Sequence, residues 1–224
     1  MNQQIVLLTG ASAGIGKATC EILMKNGVIV YGASRNGGEV QKDELSKGEF
    51  IPVKMDVNNE ADIQSVVKKI IDNHGYLNVV IANAGNGIAG AIEETSIEEV
   101  RYQFETNFFG VVKTIQACLP IFRAQGYGKI ITISSLAGVI PIPFQTFYSS
   151  VKAALMLFMN GLSIEVKPYG IQCCTILPGD TKTGFTSARK FTLASQNKKS
   201  PYYDTMKRSV GRMEKDEQNG MMAE

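Results

Sequence analysis

The sequence is poor in the residues from which metal and disulfide sites are usually built. Its 224 residues include one histidine and four cysteines, and no two cysteines form a CxxC pair. We therefore predict no metal site and no disulfide framework. Cys173 and Cys174 are adjacent in an apolar run, so we expect buried thiols on opposite faces of a strand. His74, at the end of a predicted helix, is expected at the surface, where it complements the helix dipole.

Long apolar runs and a large excess of one charge are missing as well. No run approaches the ~18 apolar residues of a membrane span, and the N-terminal residues do not resemble a signal peptide. The net charge of +2 gives no reason to expect nucleic-acid binding. We expect a cytoplasmic protein with no integral membrane segment and no nucleic-acid partner.

The sequence does contain a regular alternation of apolar runs and helical patterns. Runs such as residues 4–9, 28–33 and 79–82 predict strands, and segments with apolar residues at helical spacing follow them. Strands that are apolar on both faces are typical of a parallel sheet covered by helices. We predict one α/β domain over residues 1–224, with a doubly wound parallel sheet of the Rossmann type.

A glycine-rich turn lies between the first predicted strand and the first predicted helix. Residues 9–16 read Thr-Gly-Ala-Ser-Ala-Gly-Ile-Gly, a TGxxxGxG spacing. Glycines let backbone approach a pyrophosphate closely, and the helix N-terminus adds free N–H groups. An ordinary glycine-rich turn is the alternative. The predicted cofactor contacts here are Gly10, Ser12, Gly14, Ile15 and Gly16.

Four motifs together resemble the short-chain dehydrogenase/reductase family. In chain order they are the TGxxxGxG turn, Asn83-Ala84-Gly85, Tyr148 with Lys152 (YxxxK), and Pro178-Gly179. They span residues 9–183, and residues 138–155 are similar to the hydroxysteroid and retinol dehydrogenase branch. The resemblance implies a nicotinamide cofactor held in part by Asn83, Ala84, Gly85, Tyr148, Lys152, Pro178 and Gly179.

Tyr148 and Lys152 are the predicted centre of the chemistry. They lie four positions apart on a predicted helix and so share one face. An ammonium ~4 Å from a phenolate stabilises it by ~4 kcal/mol at an effective dielectric of ~20. We therefore expect Lys152 to lower the pKa of Tyr148 and to make it a general acid and base. A pair on a solvated helix face is the alternative.

Two further residues complete the catalytic set that the resemblance implies. Ser135 would hydrogen-bond the substrate oxygen, with Ser134 as the competing candidate. Asn107 would hold a water that links Lys152 to a proton relay, and a local helix irregularity is the alternative reading. The implied reaction is hydride transfer between the nicotinamide and a carbonyl or alcohol carbon, with Asn107, Ser135, Tyr148 and Lys152 as the catalytic residues.

The end of the second predicted strand indicates which nicotinamide cofactor binds. An acidic residue there would bond the ribose of NAD and repel a 2′-phosphate, but the first carboxylate after this strand is Glu39. Arg35 can bond the phosphate, with Ser34 as a second donor, so we predict NADP(H). A surface arginine is the alternative. The resemblance adds Asp56 and Val57 at the adenine and Thr183 at the carboxamide.

The residues around the predicted site favour a lipophilic substrate, although a core role would explain them equally. They are Leu136, Val139, Ile140, Pro141, Ile142, Phe144, Phe147 and Phe185. Residues 200–213 predict a short helix with Ser200 as its N-cap. We interpret residues 185–224 as a substrate-covering segment and tail, with 200–213 as a mobile lid. The alternative is that the basic residues of this helix form a solvated face.

The sequence departs from the family at its C-terminal end. Family members usually continue into another helix and a seventh strand, and often assemble through them. Here neither is predicted, so the chain is shorter than the natural protein or its sheet edge is built differently. We still expect a homo-oligomer, either a dimer or a tetramer.

Three function classes fit these observations. The leading one is an NADP(H)-dependent oxidoreductase that acts on a lipophilic carbonyl or alcohol, such as a hydroxysteroid-like ketone or aldehyde. A catalytically silent NADP(H)-binding sensor or scaffold is the alternative, and an isomerase or epimerase is the third. The complete catalytic set favours the oxidoreductase, because a silent module has no need of it. A Ser-His-Asp hydrolase would require His74 to reach Ser135, which nothing in the sequence order suggests.

Overall fold

The computed structural model describes residues 3–223, and a parallel β-sheet forms its centre. The eleven strands are β1 (Ile5–Thr9), β2 (Ile29–Ser34), β3 (Gln41–Lys42), β4 (Glu49–Lys54), β5 (Val79–Ala82), β6 (Ile88–Ala89), β7 (Gly128–Ile133), β8 (Ile171–Ile176), β9 (Thr181–Lys182), β10 (Lys190–Phe191) and β11 (Met221–Met222). The central sheet has the order β3-β4-β2-β1-β5-β7-β8, parallel except for the short β3. The strand order reverses direction between β1 and β5, which is where ligands bind in such sheets.

Helices cover both faces of the sheet. They are α1 (Gly14–Lys25), α2 (Glu60–His74), α3 (Ile97–Phe104), α4 (Gly110–Gln125), α5 (Thr146–Val166), α6 (Phe185–Ala188) and α7 (Tyr203–Asn219). On one face α2, α4 and α5 bury a large cluster that includes Ile70, Ile115 and Leu155. On the other face α1 packs through Cys20 against β1 and β2. The predicted doubly wound α/β domain is confirmed.

The edge strand β8 is less buried than the sequence predicts. Cys173 is half-buried and belongs to the α5 side of the sheet, whereas Cys174 is exposed. The two side chains therefore lie on opposite faces, as predicted, but the prediction that both are buried is wrong. Within residues 3–223, α5 covers one face of β8 and no strand pairs with its outer edge.

The long helical region before β7 is interrupted at the predicted place. α3 begins with a capping box formed by Ser96 and Glu99. A π-helical turn, Glu105–Phe109, then connects α3 to α4 and contains Asn107. Such turns often mark functional sites, because the extra residue redirects the side chains around it.

The C-terminal segment folds back over the carboxyl edge of the sheet. α7 buries Met206 and Val210 against Ala89 and Phe144, and β11 then pairs with β9. The predicted short helix exists, but it spans Tyr203–Asn219 rather than residues 200–213. The prediction that Ser200 is its N-cap is wrong: the Ser200 hydroxyl accepts from the Tyr202 N–H in a turn that precedes the helix.

One helix of the described residues is long and apolar enough to cross a membrane by length and composition alone. It is Thr146–Tyr169, which consists of α5 and the 3-10 turn after it, and its most apolar part has a mean hydropathy of 1.2 and is 33% buried. Polar residues such as Ser149 and Lys152 interrupt it, which is why no uninterrupted apolar run is visible in the sequence. Core helices pass the same test, and this one carries residues of the site described next.

Candidate active site

The glycine-rich turn forms a cradle at the carboxyl end of β1. Gly10 and Gly14 adopt left-handed φ angles of 72° and 54°, which only glycine adopts at little cost. A Cβ atom on Gly10 would lie 2.8 Å from the side-chain nitrogen of Asn83. Ala13 precedes α1 and caps no N–H group with its side chain. These features suit a phosphate group, because the first N–H groups of a helix favour an anion.

Gly16 lies behind the cradle, not in the cavity wall. A Cβ atom there would lie 2.2 Å from the carbonyl oxygen of Gly10. Gly16 therefore lets α1 pack closely on the turn. The predicted contact between Gly16 and the cofactor stays a prediction.

The cradle opens into a cavity of about 640 Å³ along the carboxyl edge of the sheet. The predicted residues that line it are Gly10, Ser12, Gly14, Ile15, Ser34, Arg35, Asp56, Val57, Asn83, Ala84, Gly85, Ser135, Tyr148, Lys152, Pro178, Gly179 and Thr183. They come from segments far apart in the sequence. The volume is in the range of ligand and cofactor sites.

Hydrogen bonds of Asn83, the residue after β5, connect the end of that strand to the glycine-rich turn. Its side-chain nitrogen donates to the carbonyl oxygens of Thr9 and Gly10, at 2.9 and 3.1 Å. The Thr9 hydroxyl accepts from the N–H groups of Asn83 and Ala84, each at 3.0 Å. The shape of the cradle thus depends on side chains from two neighbouring strands.

Tyr148 and Lys152 lie on one face at the start of α5, as predicted. The Lys152 nitrogen is 5.6 Å from the centre of the Tyr148 ring and donates to the carbonyl oxygen of Ile133 at 2.8 Å. Tyr148 and Ser135 both line the cavity, and Ser135 acts to lower the pKa of the Tyr148 phenol. Ser134 instead donates to the carbonyl oxygen of Lys152 at 2.9 Å and is buried. Ser135, not Ser134, is therefore the serine beside the tyrosine.

The charge states of this pair differ from the expectation. Burial raises the pKa of Tyr148 to about 12, with Glu217 acting in the same direction and Ser135 and Arg189 opposing it. Burial also lowers the pKa of Lys152 to about 8. The expected lowering of the tyrosine pKa is absent in this structure because desolvation of the phenol outweighs the lowering by Ser135 and Arg189. Tyr148 is a protonated phenol at neutral pH and can donate its proton.

Asn107 lies behind the cavity wall rather than in it. Its side-chain nitrogen donates to Gln103 and to Asn86, the latter through both the carbonyl and the side-chain oxygen, at 2.8 to 3.1 Å. Asn86 lines the cavity, so Asn107 acts on the site through this neighbour. Sequence reasoning did not find Asn86 and Gln103, since amides carry no motif of their own here.

The other end of the cavity is formed by the end of β2 and the segment after β4. Arg35 is exposed and lines the cavity beside Ser34. Asp56 accepts from the N–H of Asn58 at 2.9 Å, which orders the loop. Gly14 faces Thr183, whose side chain would lie 3.3 Å from a Cβ atom at that glycine. The glycine cradle and the segment that follows β9 thus approach each other across the cavity.

Apolar side chains line the end of the cavity near Tyr148, although fewer than the sequence predicts. Leu136, Ile140, Ile142 and Phe185 are in the wall. The Phe185 ring lies 5.7 Å from the Tyr148 ring, measured between centres. Phe144 instead packs against α7.

A charged cluster beside this wall was not predicted. The Arg189 side chain is fully buried and forms ion pairs with Glu214, at 3.4 Å, and with Glu217. Glu217 also accepts a hydrogen bond from the Thr186 hydroxyl at 2.6 Å and lines the cavity. Arg189 and the two carboxylates are 25 and 28 positions apart, so no local spacing links them in the sequence.

His74 is part of the fold and lies away from the cavity. It is half-buried, its ring nitrogen Nε2 lies 2.9 Å from the hydroxyl of buried Tyr31, and it ends α2 before Gly75. His74 lies at a helix C-terminus, as predicted. The prediction that it is at the surface is wrong, because the ring is half-buried against Tyr31. Within residues 3–223, no group of three or more histidine, cysteine or carboxylate residues could hold a metal ion.

Sequence comparisons agree with this geometry. The profile of the family described as short chain dehydrogenase matches residues 4–193. A 3-ketodihydrosphingosine reductase of Bacteroides thetaiotaomicron is 44% identical over 221 residues, which cover 98% of this chain and 79% of that protein. An uncharacterized oxidoreductase of Staphylococcus haemolyticus is 31% identical over 193 residues, covering 85% of this chain and 84% of the relative.

Solved structures give the same result. A short-chain dehydrogenase of Streptomyces avermitilis has a TM-score of 0.80 and 29% identity, covering 99% of this chain and 79% of its own. An enzyme of Burkholderia phymatum, solved in complex with NAD, matches with a TM-score of 0.82 and 23% identity, over 99% and 82% of the two chains, and supports the fold. A variant of ElxO with NADPH bound matches with a TM-score of 0.74 and 25% identity, over 81% and 75%. The chain is an oxidoreductase that belongs to the short-chain dehydrogenase/reductase family.

Proposed function

We propose that this protein is an NADP(H)-dependent reductase of a long-chain ketone. The observation that carries the proposal is the buried phenol of Tyr148. It is protonated at neutral pH, lies in the cavity wall with Ser135, and is at the apolar end of a cavity whose other end is a phosphate cradle. A general acid in this position favours reduction of a carbonyl, because the developing alkoxide takes up a proton.

The residues of the cavity fit a nicotinamide dinucleotide. The glycine cradle at the start of α1 would hold the pyrophosphate. Lys152 would bind the ribose, and Thr183 the carboxamide. When bound, the nicotinamide supplies the hydride, which is chemistry that no side chain provides.

The chain's own residues position the carbonyl and move the proton. Ser135 donates a hydrogen bond to the carbonyl oxygen, and Tyr148 donates the proton that the oxygen needs. Asn107 holds Asn86 in the cavity wall and is the proposed support of the proton relay.

Arg35 supports NADP(H) over NAD. It is exposed at the end of β2, lines the cavity, and has Ser34 beside it. A guanidinium forms strong charge-assisted bonds with a 2′-phosphate. The carboxylate on this side of the cavity, Asp56, follows β4 rather than β2.

A lipophilic ketone such as 3-ketodihydrosphingosine is the proposed substrate. The similarity to a reductase of that name supports it, and so does the apolar wall that ends at exposed Leu136 and Ile140. This long-chain ketone takes the place of the hydroxysteroid-like substrate as the first choice. Residues 185–223 supply Phe185 and Glu217 to the wall, which supports their proposed role as the substrate-covering segment.

The test is oxidation of NADPH by the purified protein, followed by absorbance with 3-ketodihydrosphingosine and a steroid ketone as substrates. We expect turnover with the long-chain ketone and NADPH, weaker turnover with NADH, and a rate about 10²–10⁴-fold lower with Tyr148→Phe. NADPH binding without turnover of any ketone would contradict the proposal and favour a silent binding module. Cytoplasmic location and homo-oligomeric assembly stay predictions, testable by fractionation and by sedimentation.

A further inference from the structure

The end of α7 places one carboxylate in the wall of the cavity near Tyr148. Glu217 is among the residues that line the cavity, and its side chain is only 15% exposed. Thr186 donates to one of its oxygens at 2.6 Å, and Arg189 pairs with the other. The carboxylate is thus held in a fixed orientation from two sides.

The cluster around Glu217 carries an excess of negative charge. Arg189 is a single guanidinium with two carboxylate partners, Glu214 and Glu217. The three side chains together therefore carry a net charge of −1 at neutral pH. A partly desolvated negative charge attracts a cation strongly, because screening by water is weak there.

The other charged residues of the cavity wall have different positions and uses. They are Arg35, Asp56, Lys152 and Asp180. Arg35 and Asp56 lie at the proposed adenosine end of the cavity. The Lys152 ammonium donates a hydrogen bond to the carbonyl oxygen of Ile133. Asp180 is exposed to solvent, where a charge is better screened.

Glu217 is also coupled to the reacting end of the cavity. The Phe185 ring packs beside Tyr148, and the guanidinium of Arg189 lies 5.9 Å from the centre of that ring. The charge of Glu217 contributes to the raised pKa of Tyr148. A cation bound by Glu217 would therefore lie near the carbonyl that Tyr148 protonates.

We infer that Glu217 is an ammonium-binding residue that selects ketones with a protonated amine on the carbon beside the carbonyl. This inference rests on the proposed function and adds a subsite to it. The ammonium group would pair with the Glu217 carboxylate, and the alkyl chain would lie along Leu136 and Ile140. The similarity to a reductase of 3-ketodihydrosphingosine, itself an aminoketone, is consistent with such a subsite.

The experiment compares two ketones that differ only in the amine. One is 3-ketodihydrosphingosine and the other is the same ketone with hydrogen in place of the amino group. The quantity measured is the ratio of the two kcat/KM values with NADPH. We expect wild type to favour the aminoketone at least tenfold and Glu217→Gln to lower the ratio at least tenfold.

Glu214→Gln is the matched control. It removes the same charge and also takes one carboxylate from Arg189, but Glu214 does not line the cavity. We expect this variant to lower the ratio less than Glu217→Gln does, because the carboxylate that lines the cavity remains in place. A second measurement uses wild type alone: a long-chain primary amine should inhibit at least tenfold more strongly than the alcohol of equal length. It remains informative if Glu217→Gln does not fold.

The outcomes separate the subsite from the proposed function. If wild type reduces both ketones equally, or if Glu217→Gln and Glu214→Gln give the same ratio, the subsite is refuted while the reductase stands. The assignment to Glu217 would also be overturned if Asp180→Asn lowered the ratio of the two kcat/KM values and Glu217→Gln left it unchanged. If wild type reduces neither ketone with NADPH, the proposed function itself fails, and the subsite with it.

Discussion

The two ends of the cavity are built by different means. The cradle consists of glycines and main-chain N–H groups that suit a phosphate, and the Thr9–Asn83 hydrogen bonds fix its shape. At the substrate end, side chains from α5, the loop after β8 and α7 meet, and a buried ion-pair cluster holds one of them in place. The cradle suits any dinucleotide phosphate, whereas the side chains at the other end can differ between enzymes of the same fold. Cofactor binding and substrate choice should therefore respond to separate substitutions.

The largest expected effect comes from removing the proton donor at the substrate end. Tyr148→Phe should lower kcat by about 10²–10⁴-fold, which is the usual contribution of a general acid. The change removes one hydroxyl among several cofactor contacts and leaves the cradle untouched, so the affinity for NADPH, measured by fluorescence titration, should fall only a few-fold. Loss of NADPH binding in the variant would show that the two ends are not independent.

A smaller effect is expected from Arg35 at the cofactor end. Arg35→Ala should raise the KM for NADPH about 10–100-fold, since a charge-assisted hydrogen bond contributes about 1.5–3 kcal/mol. The KM for NADH and the ratio between ketone substrates should stay as in wild type. An equal rise for both cofactors would mean that Arg35 does not read the 2′-phosphate.

Two glycines provide a matched pair that tests the cradle. Gly16→Ala should weaken binding of NADPH and lower the melting temperature, because its Cβ would lie 2.2 Å from the Gly10 carbonyl oxygen. Gly161→Ala on α5 meets nothing within 4 Å and should stabilise the protein by about 0.5–1 kcal/mol. Thermal melts of both variants, with and without NADPH, give the result. If Gly16→Ala and Gly161→Ala changed the melting temperature by the same small amount, the packing role of Gly16 would be contradicted.

The smallest expected effect is the pH dependence of reduction. Tyr148 keeps its proton throughout the accessible range, because its pKa is about 12. Lys152 loses its charge as the pH rises through its pKa of about 8. With a ketone that lacks an amine, kcat/KM should hold up to about pH 8 and fall above it by a few-fold. A profile that stays level to about pH 10 would show that the charge of Lys152 is not needed.

The difference between the two ends of the cavity also explains which parts of the site could be predicted from the sequence. Gly10, Tyr148 and Pro178 occur in short local motifs, and each motif follows from one strand end or one helix turn. Arg189 and Glu217 lie far apart in the sequence and meet because α7 packs against Ala89 and Phe144 and β11, which follows it, pairs with β9. The sequence pattern predicts that α7 is a helix but not which of its faces meets the site. The raised pKa of Tyr148 was missed for a related reason, since burial depends on the whole fold.

The most direct test of the account follows the hydride itself. The protein is incubated with 3-ketodihydrosphingosine and NADPH that carries deuterium at the transferred position, and the product alcohol is analysed by mass spectrometry. We predict one deuterium on the alcohol carbon, with the product formed much more slowly by Tyr148→Phe than by wild type. An alcohol without deuterium, or no alcohol from a protein that binds NADPH, would contradict the claim that this protein is a ketone reductase.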